Sequence, residues 1–130
     1  MEDVDFSDEF CRFLRAAVPA VDAAELLLLL QAEPGRAWSA AEAVAALRAS
    51  VTLGEAEAQR RFAELEAAGL AATGADQRVQ YRPASEELAA HVRTLAQAYR
   101  ERPVTLIRVI YALRDTNIKS FADAFRLRKK

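Results

Sequence analysis

Apolar side chains recur at helical spacing in the first thirty residues of the chain. The first helix predicted in this way ends near Pro19 and carries Phe6, Phe10 and Phe13. Five consecutive leucines at positions 26–30 follow, and this continuous apolar run predicts a helix that is buried on nearly all sides. Asp22 is expected to cap the start of this second helix.

The middle of the chain carries two helix-start signals at close spacing. In residues 39–42 (Ser-Ala-Ala-Glu) the serine hydroxyl can cap the third backbone amide while the glutamate reaches back, which is a capping box. Residues 52–55 (Thr-Leu-Gly-Glu) give a second start, and only a tight connection fits between the two helices. The second helix is predicted over residues 53–68, with a buried stripe formed by Ala58, Phe62 and Leu65.

A glycine turn between two short strand-like runs follows this helix. The runs at 71–73 and 77–82 flank a Gly-Ala-Asp turn and predict a small β-hairpin, named the wing below. Ala37 and Trp38 can supply a short strand that pairs with the wing. This order of elements predicts a winged helix-turn-helix, a tri-helical core with a β-hairpin wing, over residues 21–83.

The C-terminal third predicts further helices around this core. Ser85 is expected to cap an amphipathic helix that runs to Pro103. Residues 104–113 are apolar on more than one face. One face can pack on the core, and the other needs a different partner, such as another copy of the chain in a homodimer. The predicted fold class is mainly α, with accessory helices at 1–20 and 84–130. The basic amphipathic tail ends the chain and carries Ile118, Phe121, Phe125, Arg126 and Arg128.

Composition agrees with a helical protein, and the charges are unevenly distributed. The chain of 130 residues is 52% hydrophobic with only 4 Gly and 4 Pro, which favours helix over sheet. The net charge is -1, yet residues 1–10 hold five acids and no base. Residues 100–130 hold nine bases and three acids. Most of the positive charge therefore lies outside the predicted winged helix.

Side chains that support catalysis or metal binding are sparse. The chain has one histidine, His91, and one cysteine, Cys11, and they are too far apart in sequence to suggest a coordinating motif. We expect Cys11 to be a buried small apolar side chain and His91 to pack or face solvent. No catalytic residue, metal ligand or cofactor is predicted, and the protein is not expected to be an enzyme. A cytoplasmic location without a transmembrane segment is expected, because no apolar run is long enough to span a bilayer and no leader pattern opens the chain.

Three segments resemble bacterial winged-helix domains of the MarR type: residues 38–42 (Trp-Ser-Ala-Ala-Glu), 62–70 (Phe-Ala-Glu-Leu-Glu-Ala-Ala-Gly-Leu) and 79–83 (Val-Gln-Tyr-Arg-Pro). The resemblance covers roughly residues 22–100. It implies that the helix at 53–68 enters the major groove of duplex DNA while the wing contacts the backbone or the minor groove. The function it implies is a small bacterial transcriptional regulator that binds double-stranded DNA through Gln59, Arg60, Arg61, Arg78 and Arg82.

The charges of this predicted DNA-binding face leave a second function open. Residues 38–82 carry five bases against six acids, and the outward side of the predicted recognition helix carries four acids against two bases. Carboxylates near the phosphate backbone are repulsive. The alternative is a winged-helix adaptor that binds a protein partner through residues 104–113 and the basic tail. Association of the tail with RNA or an anionic membrane is a further alternative, and its two phenylalanines can instead fold back onto the domain.

Overall fold

The chain folds into six helices and three short strands over the residues described by the computed structural model, 6–49 and 51–115. In chain order the elements are α1 (Asp8–Ala17), α2 (Val21–Ala32), β1 (Ala37–Trp38), α3 (Ala40–Ala46), α4 (Glu55–Ala67), β2 (Ala71–Thr73), β3 (Val79–Tyr81), α5 (Glu86–Glu101) and α6 (Pro103–Asp115). The predicted mainly α fold class is confirmed. The tail residues that were predicted to bind a partner lie outside the described residues: Ile118, Phe121, Phe125, Arg126 and Arg128.

The three strands form one antiparallel sheet with β3 in the centre. In the turn between β2 and β3 the Gly74 N–H donates to the Arg78 carbonyl at 2.9 Å, and Gln77 has a positive φ of 68°. On the other side of β3, Trp38 of β1 lies opposite Val79. Both of these side chains are buried, which fixes the register because a slip by one residue would expose them. The predicted hairpin and its pairing with a third strand are therefore confirmed.

Two of the predicted helix caps are present. The Ser39 hydroxyl accepts a hydrogen bond from the Glu42 N–H at 3.1 Å, and the Glu42 carboxylate accepts one from the Ser39 N–H at 3.1 Å. The capping box of α3 is thus complete. The Ser85 hydroxyl caps α5 by accepting from the Leu88 N–H at 3.1 Å. Both helices begin where the sequence predicts.

Two other predicted caps are wrong. The residue before α2 is Ala20 and the residue before α4 is Gly54, and neither provides a side-chain cap. The carboxylate of Asp22 pairs with a side chain of α4 instead. Leu53 is buried against the core before α4 begins. The sequence pattern predicts that Thr52 caps this helix. Because Leu53 must first reach the core, α4 begins later, at Glu55.

The helices share one hydrophobic core, to which each of the six contributes buried side chains. The helix α1 packs on α6, while α5 packs on both α2 and α6. The predicted stripe on α4 is buried, and full burial of a side chain of the size of its Phe62 or Leu65 contributes about 1.5–3 kcal/mol. The helices before and after residues 21–83 therefore contribute to the same core as the predicted winged helix. The largest fully buried side chains of this shared core include Leu27, Leu65, Leu95 and Ile110.

Candidate nucleic-acid-binding face

The helix α4 has one buried side and one outward side. Ala58, Phe62 and Leu65 face the core, as predicted. Ala67 is followed by a turn in which Gly69 adopts a φ of +83°, and the chain then enters β2. We name the exposed side of this helix the α4 face, and it comprises Glu55, Ala56, Gln59, Arg60, Ala63, Glu66 and Ala67.

Arg60 is the base on the α4 face, and a neighbouring carboxylate pairs with it. Its side chain is 58% exposed and its guanidinium lies 2.7 Å from Glu57, one helical turn earlier. The same hydrogen bond holds the pKa of Glu57 below its ordinary value. The positive charge of Arg60 is therefore compensated within its own helix.

Arg61 does not lie on the α4 face, and the expectation that it faces outward is wrong. Its side chain is only 16% exposed, and its Nε lies 3.0 Å from Asp22 of α2. A second nitrogen donates to Glu64 at 3.0 Å, and Glu57 lies 3.8 Å away. Three carboxylates thus surround this guanidinium, which links α4 to α2. Although Arg61 directly follows Arg60 in the sequence, its side chain points to α2.

The arginine of the wing is also held by carboxylates. Arg78 donates to Glu42 at 2.6 Å and lies 3.7 Å from Asp76. Since Glu42 is the capping-box residue of α3, one carboxylate joins the wing to the start of that helix. The Ser39 N–H, and then the Arg78 guanidinium, hold the pKa of Glu42 below its ordinary value. Nearby, the guanidinium of Arg36 lies 3.6 Å above the ring of Trp38, a cation–π contact.

Three polar or basic side chains near this face have no such compensation. Gln59, Arg82 and Arg48 are exposed, and none has a side-chain hydrogen bond or ion pair within residues 6–49 and 51–115. Arg82 follows β3, and Arg48 follows α3. Of the five predicted contact residues, the structure therefore leaves Gln59 and Arg82 unpaired and engages the three others with acids.

The histidine and the cysteine both pack against neighbouring side chains. The His91 ring stacks on Phe13 with centroids 5.1 Å apart and lies 6.1 Å from Phe10. Cys11 is half-buried and packs against the hydrophobic core, so the expectation of a buried small apolar side chain is met in part. Burial, and then the charge of Asp8, raise the pKa of its thiol. In the part of the chain that the structure describes, no group of three metal-ligating side chains could hold a metal ion. No helix of the same part is long and apolar enough to cross a membrane.

Comparison with protein-family models, with curated proteins and with solved structures gives no match to this chain. Function must therefore be inferred from the residues themselves. On the α4 face and the wing, Arg60 and Arg78 are each paired with a carboxylate.

Proposed function

We propose that residues 21–83 form a winged helix and that the protein is an adaptor that binds a protein partner rather than duplex DNA. The order of α2, β1, α3, α4, β2 and β3, with β1 paired to β3, supports the winged helix. The tight connection between α3 and α4 and the hairpin that follows α4 support it as well.

The observation that carries the adaptor function is the neutralisation of the arginines on α4 and the wing. Binding to DNA depends on cations that replace the counterions of the phosphates. On α4, two arginines face four glutamates, and both arginines already contact carboxylates. Arg78 is held in the same way by Glu42. A duplex that approached the α4 face would meet Glu55 and Glu66 there, whose charge repels phosphates at about 10 Å or less in moderate salt.

The helix α6 supplies a surface that suits a protein partner. Val104 is 65% exposed and Tyr111 is 43% exposed, and these two are the exposed large apolar side chains of the part of the chain that the structure describes. They are seven positions apart, about two helical turns, and so share one side of α6. The two lie about 10 Å apart along the helix axis, with the exposed Arg108 between them, so they would act as two separate apolar contacts for a partner. The helix α6 ends at Asp115, and the basic tail follows it in the sequence.

A DNA-binding regulator is the second candidate, and it is favoured by Arg48 and Arg82, which have no ion pair within residues 6–49 and 51–115. An exposed ion pair contributes only about 0–1 kcal/mol, so a phosphate could displace Glu57 from Arg60. In this function Gln59, Arg60 and Arg82 would contact the duplex. The two candidates differ in whether the acids of α4 prevent binding.

One DNA-binding experiment separates the two candidates. Fluorescence anisotropy with mixed-sequence duplex DNA would be measured at low and at physiological salt, for the natural chain and for the variant E57Q/E64Q/E66Q. The adaptor function predicts no binding by the natural chain, and binding by the variant because Arg60 is released and this side of α4 loses three negative charges. A control variant, D8N/E86Q/E101Q, makes the same charge change at exposed acids of α1 and α5, outside α4 and the wing, and should not bind. Salt-dependent binding by the natural chain would instead refute the adaptor function and favour the regulator.

A crosslinking experiment tests the partner directly. A photo-crosslinking amino acid would replace Val104 in the full chain, in cells of its source, and the matched control would replace the exposed Ala63 on the α4 face. The adaptor function predicts one discrete protein adduct from position 104. Adducts to DNA from position 63, with none to protein from position 104, would refute it.

A further inference from the structure

A groove lies between α1, the end of α4 and the start of α5. Its volume is about 680 Å³, and its apolar lining includes Phe13, Ala17 and Leu88. Three carboxylates lie along it, one from each helix, and they belong to Glu9, Glu64 and Glu87. The groove therefore combines an apolar surface with negative charge on three sides.

In the part of the chain that the structure describes, two of these three carboxylates have no ion-pair partner. Neither Glu9 nor Glu87 makes an ion pair or a side-chain hydrogen bond within the described ranges, 6–49 and 51–115, while Glu64 shares the charge of Arg61 at 3.0 Å. Arg12 is the one base among the residues that line the groove. Counting His91 as neutral, three acids and one base give the lining a net charge of -2. Such a groove favours an occupant that is basic and apolar at the same time.

We propose that this groove binds residues 118–130 of the same chain. That segment carries five bases and one acid, a net charge of +4, which complements the lining. Its apolar residues Ile118, Phe121 and Phe125 recur at positions i, i+3 and i+7, the spacing of one helical side. The two aromatic rings match the apolar lining, and the bases that flank them match the carboxylates of Glu9 and Glu87.

The connection to α6 favours the chain's own segment over that of a second copy. The helix α6 ends at Asp115 and packs on α1 and α5, which form two of the three walls of the groove. Residues 116 and 117 connect Asp115 to the proposed segment and can bridge about 11 Å at most, so the segment starts within that distance of the end of α6. A tethered segment also acts at an effective concentration of about millimolar, well above the usual concentration of free protein. The inference does not depend on the proposed function, since either a regulator or an adaptor could hold its tail in this way.

The distribution of lysines gives a direct test on the natural full chain. Lysine occurs in the sequence only at Lys119, Lys129 and Lys130, all within the proposed segment. A carbodiimide, which joins carboxylates to amines without a spacer, therefore reports the position of this segment, with the chain's α-amine as the other reactive amine. Mass spectrometry of the monomer band should find these lysines joined to Glu9, Glu64 or Glu87.

Variants make the test specific. F121S/F125S should lower the yield of these crosslinks by about tenfold or more, because the apolar contacts hold the segment in place. V104S, which removes an exposed apolar side chain outside the groove lining, is the matched control and should leave the yield unchanged. Circular dichroism checks that each variant stays folded.

Three results would overturn the proposal. Crosslinks found only in a dimer band would assign the groove to a second copy. Crosslinks confined to Glu55 and Glu66 of the α4 face, or to the acids before Phe6, would place the segment elsewhere. An unchanged yield in F121S/F125S would show that the apolar match plays no part.

Discussion

The replacement Arg61→Ala tests whether this arginine links two helices, as the structure indicates, or contacts DNA, as the sequence predicts. Its Nε and the Oδ1 of Asp22 are both covered from solvent and lie 3.0 Å apart, as an ion pair that lacks the geometry of a hydrogen bond. The link joins α4 to α2, far from each other in sequence. Loss of the side chain would leave the Asp22 carboxylate without its partner and the Glu64 carboxylate without its hydrogen bond.

The magnitude follows from the exposure of the partners. Breaking a fully buried ion pair costs about 3–5 kcal/mol, and an exposed pair contributes about 0.2–1 kcal/mol. The side chain of Arg61 is 16% exposed and that of Asp22 is 21% exposed, so their pair lies between these limits, whereas Glu64, at 39%, belongs with the exposed pairs. We expect Arg61→Ala to lower the free energy of unfolding by about 2 kcal/mol, which for a chain of this length lowers Tm by about 7 °C.

Urea unfolding and a thermal melt measure this loss, and Arg60→Ala is the matched control. Arg60 is 58% exposed and pairs with one carboxylate on its own helix, so its removal should leave Tm nearly unchanged. A double-mutant cycle with Asp22→Asn should give a coupling energy of about 1 kcal/mol between the two side chains. If Arg61→Ala loses no more stability than Arg60→Ala, the link between α2 and α4 has no energetic importance and the reasoning fails.

Three further changes test other parts of the fold. Gly69→Ala should lower the free energy of unfolding by about 1–3 kcal/mol in urea, because Gly69 has a φ of +83° and an added Cβ would lie 3.2 Å from Leu88; a negligible loss would contradict this. Tyr99 donates a hydrogen bond to Glu25. Mainly because of burial, and also because of this hydrogen bond, the pKa of Tyr99 is raised to about 12. The stability gained from Tyr99 is therefore complete below its ordinary value of 10.0 and is lost as the pH rises through about 12, so Tyr99→Phe should flatten the alkaline decline of the urea midpoint. Glu42 has a lowered pKa and contributes above its ordinary value of 4.5, and this contribution is lost as the pH falls through the lowered value. Glu42→Gln should therefore lose less stability on acidification than the natural chain, and equal losses would show that its contacts with Ser39 and the wing arginine do not matter.

The sequence predicts the elements well where local chemistry determines them. The capping box of α3 and the cap of α5 involve residues three positions apart, so short-range pattern is sufficient. The start of α4 depends on the burial of Leu53, which is a tertiary contact that no local pattern contains. The same is true of Asp22, whose carboxylate is used by α4 and not by its own helix.

The candidate site was harder to predict, because a count of charges does not give their partners. Pairs within α4, such as Glu57 with Arg60, could have been inferred from their spacing of three positions. The pair of Glu42 with Arg78 joins residues 36 positions apart, and only the sheet brings them together. Sequence spacing therefore reveals neutralisation along a helix and misses it between elements.

Arg60 and Arg61 show why this matters for the choice of experiment. They are adjacent in sequence, but a helix turns by about 100° per residue, so one lies on the α4 face and the other against α2. Removing either arginine would also leave a carboxylate unmatched, so lost DNA binding would have two explanations. Replacing Glu57 with glutamine removes one charge and exposes the cation that it held. If pairing with carboxylates keeps this face from DNA, glutamine variants should gain DNA binding. Such a gain is clearer evidence than a loss of binding in arginine variants.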